Sequence, residues 1–198
     1  MHNIKIKYLV FSLALLLGST SIFAQNKYAE SNTTVVKKLL DRDTIYSNKS
    51  LKATASDIAS FSLLNDVYTL IDFNSLTDNE EMVTVFVTKD SGFPQMDKEE
   101  REAFFSENNK ANLIEIISYY IIPGRVDEHA ILKAIERGNG SANFRTLSGE
   151  NLRFKKEGET VYLLTGNGSK NALLQTNFRH SKGFFHLTNG LALPKTQK

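Results

Sequence analysis

Three histidines lie beyond the N-terminal segment, His129, His180 and His186, and they are the side chains best suited to proton transfer or metal binding near neutral pH. His180 and His186 are six positions apart, a spacing that shares one face on a regular strand. Lys182-Gly183 interrupts such a strand, and no third side chain is nominated to complete a zinc site. The chain has no cysteine, which excludes disulfides, thiolate metal sites and thiol nucleophiles together. There is no G-x-S-x-G elbow and no G-x-x-x-x-G-K-[ST] loop. Gly166-Asn167-Gly168-Ser169 joins two expected strands, the setting of a hairpin turn rather than a phosphate cradle. The Asp and Glu residues form no evident acid/base dyad. The expectation is a non-enzyme with no cofactor and no metal.

What remains is binding chemistry. Aromatic side chains dominate contact surfaces because they cover a large area with few torsions to freeze. Tyr119 and Tyr120, with Phe184 and Phe185, are therefore the candidate interaction residues. Adjacent strand residues point to opposite faces, so at least one of Phe184 and Phe185 is expected at the surface.

The elements that would position these residues begin after a leader. Lys5 and Lys7 precede the apolar run Tyr8 to Gly18, and a small residue, Ala24, precedes the polar Gln25. That is the pattern of a signal peptide over 1–24, cleaved after Ala24. The run is shorter than the roughly 20 apolar residues a membrane span needs, and no cysteine is available for a lipid anchor. Export is expected, to the periplasm, the cell surface or the medium, with no membrane span after cleavage. Lys5 and Lys7 leave with the signal, so 24 Lys+Arg against 22 Asp+Glu becomes 22 against 22. No basic stripe suggests nucleic acid as a partner. Lys155-Lys156 and the tail over 195–198, with Lys195 and Lys198, read as solvated surface.

Residues 25–53 read as a polar leader. Its patch Val35, Val36, Leu39, Leu40 suggests one or two turns of amphipathic helix, and Asp43-Thr44-Ile45 has the form of a three-residue O-glycosylation signal of exported bacterial proteins. From Thr54 to Ile71 apolar residues recur at helical steps, with Thr54 or Ser56 as the cap. Met82 to Val87 reads as a strand, and Asp97 with Glu100 as a capping box for a helix from Lys98 to Glu107 with Phe104 and Phe105 inward. Leu113 to Tyr120 continues at helical spacing until Pro123-Gly124, and Glu128 to Arg137 forms a helix stopped by Gly138. Short strands follow at 144–147, 151–154, 160–164, 172–177, 184–187 and 191–193. Helices first and strands last make an α+β layout in one domain over 54–194.

Four runs, in order, resemble the conserved boxes of fasciclin (FAS1) domains. Val83-Thr-Val-Phe-Val-Thr-Lys-Asp-Ser-Gly-Phe93 is similar to TVFAPTNEAF, and Leu113 through Gly124 to L..L.YHVVPG. Phe144 to Phe154 resembles TL.G..L.V, and Ser181 to Pro194 resembles the closing NG.VHVID.VLLP. Val87-Thr88 replaces the family's Ala-Pro, Tyr120 stands at the histidine of the YH pair that animal members associate with integrin-dependent adhesion, and Lys182 replaces the Asn of the last box. The resemblance implies a wedge-shaped β-sandwich with a cluster of short helices. It implies structural roles for His186, Pro123, Gly124, Gly149, Gly190 and Pro194. It also implies a bacterial exported adhesion module binding protein or extracellular polysaccharide, or its own kind. The alternative is a small-ligand binder using an apolar pocket between helices and sheet.

Overall fold

The computed structural model describes residues 34–165 and 168–191. The signal segment and the basic tail, with Pro194, lie outside them.

The first element is a hairpin, β1 (Lys37–Leu40) against β2 (Asp43–Tyr46), rather than the helical turns expected there. Asp41, at φ 52°, reverses the chain, and the register puts Leu40 and Ile45 on one face, where both are buried. An apolar run this short does not distinguish the two periodicities, and the turn chemistry decides. The hairpin thus carries core residues of the domain inside what reads as a leader.

The helical stretch after it is three short helices. α1 (Leu51–Asp57) starts one turn earlier than expected, because Ser50 Oγ accepts from Ala53 N at 3.1 Å. Ile58 is extended and ends it. α2 (Ser62–Leu70) follows a 3-10 turn, and α3 (Phe73–Leu76) is capped by Asp72. Farther on, α4 (Lys98–Phe104) has the expected capping box, with Asp97 and Glu100 bonded reciprocally. α5 (Lys110–Tyr119) and α6 (Glu128–Arg137) complete the helices.

Seven strands form one sheet in the order β4-β3-β9-β8-β7-β6-β5. They are β3 (Val83–Thr88), β4 (Ile121–Pro123), β5 (Ser141–Arg145), β6 (Asn151–Glu157), β7 (Thr160–Leu164), β8 (Lys170–His180) and β9 (Gly183–Thr188). Every pair is antiparallel except β3 with β9. β8 makes the sheet fold over. Its first residues pair with β7 and its last with β9, and two register shifts between Leu173 and Phe178 bend it in the middle. The far ends of the sheet then meet, where Leu147 N donates to Ile121 O at 2.9 Å.

Two cores result, and β3 and β9 divide them. Val83, Val85 and Val87, with Phe185 and Leu187, face α1, α2, α3 and the hairpin. Phe86 faces the enclosed side, among Tyr120, Ile131, Leu152, Phe154 and Leu163. Both strands are buried along their whole length, which explains why neither carries an acidic or a lysine or arginine side chain.

Candidate interaction surface

None of the four nominated aromatics is at the surface. Phe184 is 6 % exposed and Phe185 is fully buried. The alternation expected of them is present, but both faces of β9 are covered. Phe185 stacks on Phe178 with centroids 4.9 Å apart in the helical core. The guanidinium groups of Arg125 and Arg179 lie over the Phe184 ring, 4.9 and 5.6 Å from its centroid. Tyr119 and Tyr120 meet edge to face at the end of α5, both buried in the enclosed core. These rings are packing residues.

The histidines do not converge either. His186 is fully buried; its Nε2 is 2.8 Å from Val126 O and its Nδ1 accepts from Asn177 N at 3.3 Å. Those partners fix the neutral tautomer with the proton on Nε2, and the ring stacks on Phe86 at 5.2 Å. Burial pushes its pKa down to about 4. His180 sits across the turn on β8, with Nδ1 accepting from Lys182 N and its ring against Phe73, and burial likewise lowers it to about 4. His129 is exposed on α6. Among the described residues no three His, Asp or Glu side chains group to hold a metal ion.

Two carboxylates with lowered pKa values are helix caps. Asp72 is held below the usual range by Ser75 at the start of α3, and Asp127 by the Ala130 amide at the start of α6. Both are committed to backbone geometry. Pro123 ends β4, and Gly124 turns the chain out of it at φ 85°. Gly149 lies in the turn between β5 and β6, and a Cβ on Gly190 would come within 2.6 Å of Asn171 Oδ1.

Among the described residues, the large apolar side chains that remain exposed are Val35, Val36, Leu39 and Leu174. Leu39 is 64 % exposed on the outer face of the hairpin, opposite the exposed Thr44 of the glycosylation-like triplet. Leu174 is 55 % exposed at the bend of β8. Lys38 ties the two elements together: its ammonium donates to Thr176 O and lies 4.8 Å from the Phe178 centroid. Beside the hairpin is a shallow recess of about 390 Å³ lined by Val35, Lys37, Tyr46, Asn48 and Lys49. The sequence signal for this surface was present, as the apolar patch at Val35 to Leu40. Its strand geometry was what sequence reasoning missed. A groove of about 880 Å³, lined by Met96, Phe104, Asn109 and Asn112 among others, runs along α4 and α5. It does not lie between helices and sheet, where a ligand pocket was expected.

Comparison with known proteins decides the family. The profile of the fasciclin domain matches residues 59–194. The chain belongs to the fasciclin domain family. Among solved structures it is similar to the FAS1 domain pair of the insect cell adhesion molecule fasciclin I, with a TM-score of 0.60 at 12 % identity over 81 % of this chain and 67 % of that one. At that identity the likeness concerns the fold: the fasciclin arrangement of a folded-over sheet beside short helices. No curated protein matches the sequence. No helix among the described residues is long and apolar enough to cross a membrane.

Proposed function

We propose that this fasciclin-domain protein is an exported, non-enzymatic adhesion module, and that its contact surface is the outer face of the β1–β2 hairpin with the adjoining bend of β8. The observation that carries the reading is the exposure of Leu39 and Leu174, the two most exposed of the four large apolar side chains left at the surface among the described residues. Such side chains on joined elements mark an interface, and a strand hairpin offers a partner both side chains and backbone. The signal-like N-terminal segment and the adhesion role of fasciclin domains support export to the periplasm, the cell surface or the medium. The partner is a protein of the cell surface or matrix, or a second copy of this chain.

Light scattering of the purified protein on a sizing column, with capture from envelope and matrix fractions of the producing cells, tests this. Self-association, or a saturable partner, that is lost in Leu39→Asp and retained in a distant surface variant is expected. A strict monomer that retains no macromolecule would overturn the adhesion reading. It would shift attention to small ligands of the groove along α4 and α5.

A further inference from the structure

A second surface lies on strands β5 to β8. In β5, β6 and β7 every other side chain points inward. Ala142, Leu152, Phe154, Val161 and Leu163 join the enclosed core, which α6 closes from its own side with Ile131 and Ile135. The alternate positions form an outer face that no helix covers among the described residues. Its cross-strand pairs are Asn143 with Arg153, Arg153 with Leu164, Lys155 with Tyr162, and Leu164 with Lys170. Arg145 also stands on it, so four cations share the face with one carboxylate, Glu157; Glu150 and Glu159 sit in the turns beyond the strand ends. With strands about 4.8 Å apart, the cations spread over roughly 14 Å from β5 to β8.

Local contacts hold two of the cations, Lys155 and Lys170, in place. Glu157 pairs with Lys155 at 3.4 Å and also with Lys170. The Lys170 ammonium is 4.0 Å from the Tyr162 centroid, over the ring. Lys170 first, then Lys155, keeps the Glu157 carboxyl below the usual range, so this single counter-charge stays ionised. The outer face of these strands thus carries a positive excess.

We infer that the outer face of β5–β8 binds an acidic extracellular polysaccharide, with Arg153, Lys155 and Lys170 meeting its carboxylate or sulfate groups. A sheet face with spaced cations suits a polymer whose charges repeat along an extended chain. Asn143, Asn151 and Thr160 supply amide and hydroxyl groups for sugar hydroxyls at the same face. Nucleic acid fits less well. The lone aromatic, Tyr162, is already capped by Lys170 and offers no stacking platform for bases. The inference rests on the adhesion reading only in taking the partner to be extracellular.

The test is binding of the purified protein to immobilised polygalacturonate and heparin, with dextran as neutral control and single-stranded poly(dT) as the competing polyanion. Binding to an acidic polysaccharide that weakens with added salt is expected, with about tenfold loss in the Arg153→Ala/Lys155→Ala double variant. Glu157→Gln removes the only carboxylate of the face and is expected to tighten binding. All three side chains are exposed, so circular dichroism of the variants should match the parent. Binding unchanged in the double variant, equal retention on dextran, or tighter binding of poly(dT) would each overturn the inference. Leu39→Asp should leave polysaccharide binding intact, so failure of the hairpin surface and failure of the sheet face are separate results.

Discussion

Asp90 and Leu63 are joined by a 2.9 Å hydrogen bond that makes the turn after β3 the cap of a helix beginning 28 residues earlier. The Asp90 carboxylate also accepts from Ser62 N at 3.2 Å and from Ser62 Oγ at 2.7 Å. No side chain next to α2 in sequence performs this task, since Phe61 precedes it. Asp90→Ala should therefore cost about 1–2 kcal/mol, read as a lowered urea midpoint with unchanged slope. An unaffected midpoint would show that the contact adds nothing to stability.

Thr84 performs a similar task inside the protein. Its hydroxyl donates to Gly124 O and accepts from Val126 N, both at 2.9 Å, and so holds the turn that follows β4. Thr84→Val keeps the shape and strands both backbone partners, at a cost of about 1–3 kcal/mol. The same unfolding measurement checks it.

Acid should destabilise the fold before the carboxylates titrate. His180 and His186 are neutral and buried, with pKa values of about 4. In the unfolded chain each titrates near 6.5. Between those values the unfolded state binds more protons, so stability is complete above about pH 6.5 and falls as pH drops toward 4, with a limiting slope of about 2.7 kcal/mol per pH unit for two groups. Urea midpoints at pH 7 and pH 5 measure this. His180→Phe should remove about half of the difference, because it takes away one of the two buried titrating rings. A midpoint independent of pH across this window would contradict the burial of both rings.

Phe185→Ala should cost about 3–5 kcal/mol, as expected when a fully buried ring leaves a cavity beside Phe178. Leu39→Ser, on the exposed hairpin face, should stay within about 0.5 kcal/mol. Thermal unfolding of the two variants separates packing residues from surface ones. The reverse order would invert the assignment of core and contact surface.

The fold was legible where the sequence signal is local. The α4 capping box, α6 with its Gly138 stop, and the strand bounds of β7 all follow from side chains within a few positions of each other. It was illegible where a distant element decides. The breaks between α1, α2 and α3 interrupt one continuous helical pattern, and α2 is capped from the far side of β3. The exposure expected of Phe184 or Phe185 failed for a related reason. Alternation along β9 tells that Phe184 and Phe185 diverge, but not that β9 is a central strand with cover on both sides. Conversely, the basic face arises only from register, since Arg153, Lys155 and Lys170 look like scattered surface charge until β6, β7 and β8 are laid side by side.

The parallel pairing of β3 with β9 joins residues 100 positions apart, such as Thr88 and Thr188. Phe185 and Leu187 complete one core, while His186 stacks on Phe86 in the other. A nascent chain therefore cannot close either core until its last strand has been made. Contacts this remote in sequence slow folding, since a long loop must be ordered before the pair rewards it. On the proposal that the protein is exported, such delay is an advantage: a chain waiting for β9 stays unfolded, the state in which it would cross a secretion channel.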